Sequence, residues 1–129
     1  MSEYAVEAAD SMSYAAVADL PLVRLFAAER AIALGLPPDR AELLKLAVSE
    51  LATNTLQYTV GGGRVRVWAE SGQLVVEVVD GGPAPELGRS MPAAHAERGR
   101  GLPIVVRVCD DVSTAKTAEG TVIQLRFNL

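Results

Sequence analysis

Residues 64–80 read RVRVWAESGQLVVEVVD, two runs of alternating apolar residues split by Ser71-Gly72. Alternation with a period of two is the pattern of a half-buried strand. Ser-Gly between two such runs is hairpin chemistry. In the first run Val65, Val67 and Ala69 share one face, and Arg64, Arg66 and Trp68 share the other. In the second, Leu74, Val76 and Val78 share a face, and the same parity carries on to Asp80, while Gln73 and Glu77 mark the opposite side. A second hairpin closes the chain: DVSTAKT and TVIQLRFNL flank Glu119-Gly120, with Thr121, Ile123, Leu125 and Phe127 on one apolar face. Asp80 and Thr121 are therefore both expected on the core side of a sheet, each at a strand end.

The N-terminal half is helical in pattern. Leu22 to Leu34 carries helical periodicity through Leu22, Leu25, Phe26 and Ala33, and stops at Gly35. A longer helix is expected from about Arg40 to Tyr58, with Asp39 as N-cap and Glu42 completing a capping-box-like pattern. Within it Glu50 and Asn54 stand four residues apart, so they stack on one face, and the neighbours Leu46, Ala47, Val48, Leu51 and Ala52 suggest that most of this helix is buried. The glycines at 61–63 break the chain; a flexible connection and a phosphate cradle are both compatible with them. Residues 1–18 are ambiguous, with an edge strand and a loop as one reading.

Composition narrows the class. At 129 residues, half of them hydrophobic, the chain is expected to form a single domain over 1–129, with its core over about 20–129. The apolar runs are far short of a membrane span, and the acidic start MSEYAVEAAD has no signal-peptide core. A net charge of -4 gives no support to direct nucleic-acid or membrane binding. The single cysteine, Cys109, excludes an internal disulfide and fits a reducing cytoplasm. Arginine outnumbers lysine and alanine is abundant, the bias of a GC-rich bacterial genome.

Each candidate site feature has an ordinary reading beside its chemical one. Asp80 opens a DGG turn sequence and could be a turn cap or salt-bridge partner; alternatively it accepts a hydrogen bond from a ligand's amino group in an apolar slot. GRGLPIVVRVCD, residues 99–110, reads as a glycine-rich turn opening a helix, with Pro103 in the first turn. Backbone amides at such a start attract anions. Thr121, inward-facing at the start of its strand, has the ordinary reading of a small threonine in the core. Between these lies a long Pro- and Ala-rich loop, residues 83–98.

Taken in order, Glu50-x-x-x-Asn54, Asp80-x-Gly82, Gly99-x-Gly101 and Gly120-Thr121 resemble the N, G1, G2 and last boxes of the Bergerat-fold (GHKL) ATPases. The stretches LAVSELATNTLQY, VEVVDGGPAPE and RGRGLPIV look most like the anti-sigma factor serine kinases of that superfamily. The resemblance implies an α/β (α+β) two-layer sandwich, with helices on one face of a mixed, mostly antiparallel sheet and ATP between the layers. It implies that Asn54 ligates magnesium and that Glu50 is the general base. Asp80, helped by Thr121, would receive the adenine amino group, and Gly82 would let the backbone approach the base. Gly99, Arg100, Gly101 and Leu102 would meet the phosphates, and residues 85–98 would be the ATP lid. The implied partners are a sigma factor and a small anti-sigma factor antagonist carrying the phosphoacceptor serine; a homodimer is compatible. A non-catalytic ATP-binding regulatory module is the alternative, and the catalytic domain of a split histidine kinase a third.

The match has departures. Ala84 stands where the G1 box usually has its third glycine, Gln57-Tyr58 stands where an Arg-His pair is common, and the lid is short. His95, the only histidine, falls in the lid, where an exposed lid residue is expected. Cys109 is expected in the core, and Trp68 as a partly covered surface tryptophan or part of a partner patch.

Overall fold

The computed structural model describes residues 10–58, 61–80, 105, 107–118 and 120–129. Among the described residues five strands form one sheet: β1 (Asp10–Tyr14), β2 (Gly63–Glu70), β3 (Gln73–Asp80), β4 (Asp111–Thr117) and β5 (Gly120–Asn128). Their spatial order is β1-β2-β3-β5-β4, and all four pairings are antiparallel. Two helices, α1 (Leu20–Ala33) and α2 (Pro38–Tyr58), cover one face of this sheet, which gives the two-layer α+β sandwich. The ambiguous N-terminal stretch supplies an edge strand over Asp10–Tyr14. No described helix is long and apolar enough to cross a membrane.

The hairpin parity is met. Val65 and Val67, Leu74, Val76 and Val78, and Leu125 and Phe127 all belong to the buried cluster beneath the helices. The β2–β3 turn places Ser71 at φ 53° and Gly72 at φ 76°, the conformation in which a two-residue loop matches strand twist. The opposite face is polar but not bare. Arg66 pairs with Glu77 at 2.7 Å, Gln124 donates to Glu77 at 2.9 Å, and Arg126 reaches Gln73 and Glu70 at 3.1 and 3.2 Å. Within this network Trp68 is only 7% exposed and its indole N–H donates to Glu70 at 3.0 Å. It is thus more deeply buried than a partly covered surface residue.

Helix α1 ends as expected. Leu36 N–H donates to Ala31 O and Gly35 N–H to Ile32 O, both at 3.0 Å, with Gly35 at φ 118°. That is a Schellman end, in which a left-handed residue lets two C-terminal carbonyls be satisfied. The buried face of α1 differs from expectation: Leu20, Val23, Ala27, Ala28 and Ala31 face inward, whereas Leu22 and Leu25 are 55% and 49% exposed. The reason is space. The alanines let α1 lie close to both α2 and the sheet, and the larger leucines of the other stripe remain outside. Leu46 of α2 is likewise exposed.

Helix α2 begins at Pro38, not at Arg40, so Asp39 lies inside its first turn and is not the N-cap. Proline suits that first position because its missing N–H has no intrahelical partner to lose. Glu42 pairs with Lys45 at 3.0 Å rather than closing a capping box.

Chain direction gives the sandwich two distinct ends. At one, Leu129 N–H donates to Gly72 O at 3.0 Å. There Arg40 holds Asp110 at 3.1 Å and Val108 O at 3.4 Å, and its guanidinium lies 5.3 Å from the Phe127 ring centre. Asp110 also accepts from Asn128 N–H at 2.6 Å. At the other end β1 and β3 finish, β2 and β5 begin, and α2 runs out before the turn into β2.

Candidate functional site

Helix α2 buries Ala41, Leu44, Ala47, Val48, Leu51, Ala52 and Thr55, and Thr55 Oγ1 donates to Leu51 O at 3.0 Å one turn back. Glu50 and Asn54 lie beside that face and are half-buried. At 100° per residue they share a flank with Arg40, Leu43 and Ala47. The opposite flank is taken by α1, where Arg24 donates to Ser49 at 3.4 Å. Arg40 reaches Val108 O at 3.4 Å, so Val108 borders this flank at its Arg40 end. Cys109 N–H donates to Val105 O at 3.2 Å, one helical hydrogen bond, and Val105 is fully buried. Because α2 starts at the Arg40 end, Glu50 and Asn54 fall in its half nearer the other end of the sheet.

That end carries a transverse row of residues. Register pairs Tyr14 with Gly63 and Gly63 with Asp80. Val79 is opposite Val122, so the next residue along each strand brings Asp80 and Thr121 together. Thr121 in turn is opposite Lys116. The row Tyr14–Gly63–Asp80–Thr121–Lys116 therefore crosses all five strands. Thr121 is half-buried; the Asp80 carboxylate lies outside the described residues. Two elements that are 41 residues apart in sequence (from 80 to 121) become neighbours only through the crossover that seats β5 beside β3.

Of the glycines at 61–63, Gly62 and Gly63 are closely packed against β1 and β3, whereas Gly61 is exposed. A Cβ on Gly62 would meet Tyr14 O at 2.0 Å and Ala15 Cα at 2.7 Å, and Gly62 sits at φ 71°. A Cβ on Gly63 would meet Val79 O at 2.3 Å and the Tyr14 hydroxyl at 2.7 Å. Only glycine admits this approach of β1. A cavity of about 490 Å³ opens here, lined by Ser13, Tyr14, Asp19, Gly63, Arg64 and Val79 among others. Asp19 accepts from the amides of Ala15 and Ala16 at 2.8 and 3.1 Å, which hold its carboxyl below the usual range. It is therefore an anion at neutral pH.

The remaining expected site residues, Gly82, Ala84, Gly99, Arg100, Gly101 and Leu102, lie outside the described residues, as do the lid and His95. Among the described residues no group of three or more His, Cys, Asp or Glu side chains could hold a metal ion. A magnesium that keeps most of its ligands as water and phosphate needs only one or two protein oxygens. The half-buried Asn54, beside Glu50, fits that limited demand. Cys109 is in the core as expected. Burial, with the neighbouring Asp110 charge, pushes its thiol up to about 12, so it is inert at neutral pH.

Tyr14 is the residue of this end that the sequence pattern misses. Its segment is too short for periodicity to identify. The one available signal is the glycine pair Gly62-Gly63, which makes room for it, and that pair reads equally well as a connector.

The sequence profile of the histidine kinase-like ATPase domain matches residues 14–127. No curated protein matches the sequence. Among solved structures the fold is similar to the Acinetobacter baumannii histidine kinase AdeS, with 12% sequence identity and a TM-score of 0.49, over 92% of this chain and 67% of that one.

Proposed function

The chain belongs to the histidine kinase-like ATPase domain family and is an ATP-binding module of the GHKL type, and from this premise we propose that it is an anti-sigma factor with protein-serine kinase activity. In this reading it acts in the cytoplasm, sequesters a sigma factor and phosphorylates a serine on a small antagonist protein. The finer reading is supported by the resemblance of LAVSELATNTLQY, VEVVDGGPAPE and RGRGLPIV to the anti-sigma factor serine kinases. The Glu50–Asn54 half of α2 and the strand ends that carry Asp80 and Thr121 lie at the same end of the sandwich, and this supports a nucleotide held between the two layers there.

The proposed roles follow from the chemistry of each group. Asp80 and Thr121 would receive the adenine amino group, Gly82 would let the backbone approach the base, and Ala84 would stand beside it as the third position of the G1 box. Gly99, Arg100, Gly101 and Leu102 would meet the phosphates, their backbone amides donating to the anion. Asn54 holds magnesium, which neutralises phosphate charge when bound. The serine hydroxyl attacks the γ-phosphorus as the bond to ADP breaks. Glu50, within hydrogen-bond reach of that hydroxyl, accepts its proton.

Transfer of radiolabelled γ-phosphate to candidate antagonists tests this reading. Wild type should label a serine; Glu50→Gln should keep its ATP affinity and lose transfer. Transfer by Glu50→Gln at the wild-type rate removes Glu50 as the base. Ala84, with its extra methyl at the G1 turn, favours a second reading, a regulator that binds ATP without turnover. Tight ATP binding with no transfer to any antagonist or histidine acceptor supports that one, and labelling of a histidine supports a split histidine kinase.

A further inference from the structure

The two outer strands of the sheet are unlike. β1 is five residues long and is tied to the helix layer by an ion pair between Asp10 and Arg30 of α1. β4 is seven residues long, has a strand neighbour on one side only among the described residues, and is exposed at every position but Val112. Such an edge presents a row of backbone N–H and C=O groups to any strand that can approach it. Proteins blunt edges with proline, bulges or charges. β4 has no proline, and its one cation is Lys116. Its neighbours Ser113, Thr114, Ala115 and Thr117 are small. On the outer face a cavity of about 290 Å³ runs beside Ser113, Ala115 and Val122, so no bulky side chain bars a second strand there.

Charge indicates which strand fits. Directly opposite residues of an antiparallel pair point to the same face. Lys116 is on the helix side of the sheet: two residues before it, Thr114 is opposite Ile123, which packs on the core. Asp110 is on that side too, since its carboxylate meets Arg40 of α2 at 3.1 Å. Arg40 and the Asn128 N–H both use Oδ2 of Asp110, so among the described residues Oδ1 has no donor. Lys116 and Asp110 each stand three residues from Ser113. A two-fold axis through Ser113 therefore sets Lys116 of each copy opposite Asp110 of the other. Between these pairs Asp111 is opposite Ala115 and Val112 opposite Thr114, with no like charges facing each other.

We propose that β4 pairs antiparallel with β4 of a second copy of this chain, joining two five-stranded sheets into one, with a Lys116–Asp110 ion pair at each end of the seam. The axis is perpendicular to the sheet, so both helix layers stay on one face and both polar networks on the other. Lys116 is opposite Thr121, so the two candidate nucleotide ends point in opposite directions. The pairing is independent of the roles proposed for Glu50, Asn54 and Asp80. So short a seam covers less than the about 1,600 Å² of a standard interface, and the dimer is accordingly weak and forms as concentration rises.

Sedimentation equilibrium of the full chain, from micromolar to millimolar concentration, should show monomer passing to dimer, with association weakened by added salt. Lys116→Glu alters an exposed side chain, and thermal melting checks its fold. It should dissociate at about tenfold higher concentration, because it sets like charges opposite each other twice. Ser113→Cys puts two thiols across the axis with Cα atoms about 4.5–5.5 Å apart, within reach of a disulfide, so mild oxidation should link it into dimers. Ala115→Cys should stay unlinked, because its counterpart lies four residues, about 13 Å, along the seam. A monomer at every concentration, a dimer that Lys116→Glu leaves equally tight, or equal linking of the two cysteine variants overturns the proposal.

Discussion

Alanine substitutions at Gly61, Gly62 and Gly63 should differ sharply in cost, because the three positions differ in what surrounds them. At Gly61 an added Cβ meets nothing within 4 Å, so only the positive φ of 100° opposes it. That conformation costs an L-residue about 1–2 kcal/mol. At Gly63 no left-handed φ is involved, but the Cβ collides with Val79 O at 2.3 Å, a backbone atom that cannot swing away. Forcing a methyl into such a contact costs about 1–3 kcal/mol. Gly62 carries both penalties, with φ 71° and a contact of 2.0 Å to Tyr14 O, for a total of about 2–5 kcal/mol. A chain of this length loses about 3–5 °C of melting temperature per kcal/mol. Urea titrations and thermal melts of the three variants should therefore rank Gly62→Ala as the most damaging. If Gly62→Ala and Gly63→Ala melt no lower than Gly61→Ala, the segment is a plain connector and the packing of β1 against it is wrong.

Four further outcomes are expected. Leu44→Ala, in the buried stripe of α2, should cost about 2–5 kcal/mol in urea, whereas Leu25→Lys on the exposed stripe of α1 should stay within about 0.5 kcal/mol. Asp110 is held below the usual carboxyl range first by the Asn128 N–H and also by Arg40. Its contribution is therefore full above about pH 4 and is lost as pH falls through the lowered folded value, so the urea midpoints of wild type and Asp110→Asn should converge in acid. The Cys109 thiol should resist alkylation at pH 8 in the native protein and react once it is unfolded, as mass spectrometry would show. Asn54→Ala should weaken ATP binding in magnesium more than in chelator, measured by calorimetry, because magnesium would lose its protein ligand.

The sheet was legible in the sequence because period two survives wherever one face is buried. Val65, Val67, Leu74, Val76 and Val78 announced their face without tertiary information. The same parity aimed Asp80 and Thr121 at the helix side. Their adjacency came from the order β3-β5-β4, a crossover that local pattern does not encode. Helix α1 misled because hydrophobicity marks two stripes on it, and the small one is buried. Close packing rewards alanine there, and no count of leucines reveals it. Tyr14 was hidden for a related reason: its burial depends on two glycines that are 48 and 49 residues further along the chain (from 14 to 62 and 63).

Amide chemical shifts followed through an ATP–magnesium titration test the location of the site most directly. The largest changes among the described residues should fall on Tyr14, Gly63, Asp80 and Thr121, and on Glu50 and Asn54 of α2. Gly72, Asp110 and Leu129, at the opposite end of the sandwich, should keep their positions. Shifts concentrated at that far end, or on the outer-face network of Arg66, Glu77 and Arg126, would contradict the account.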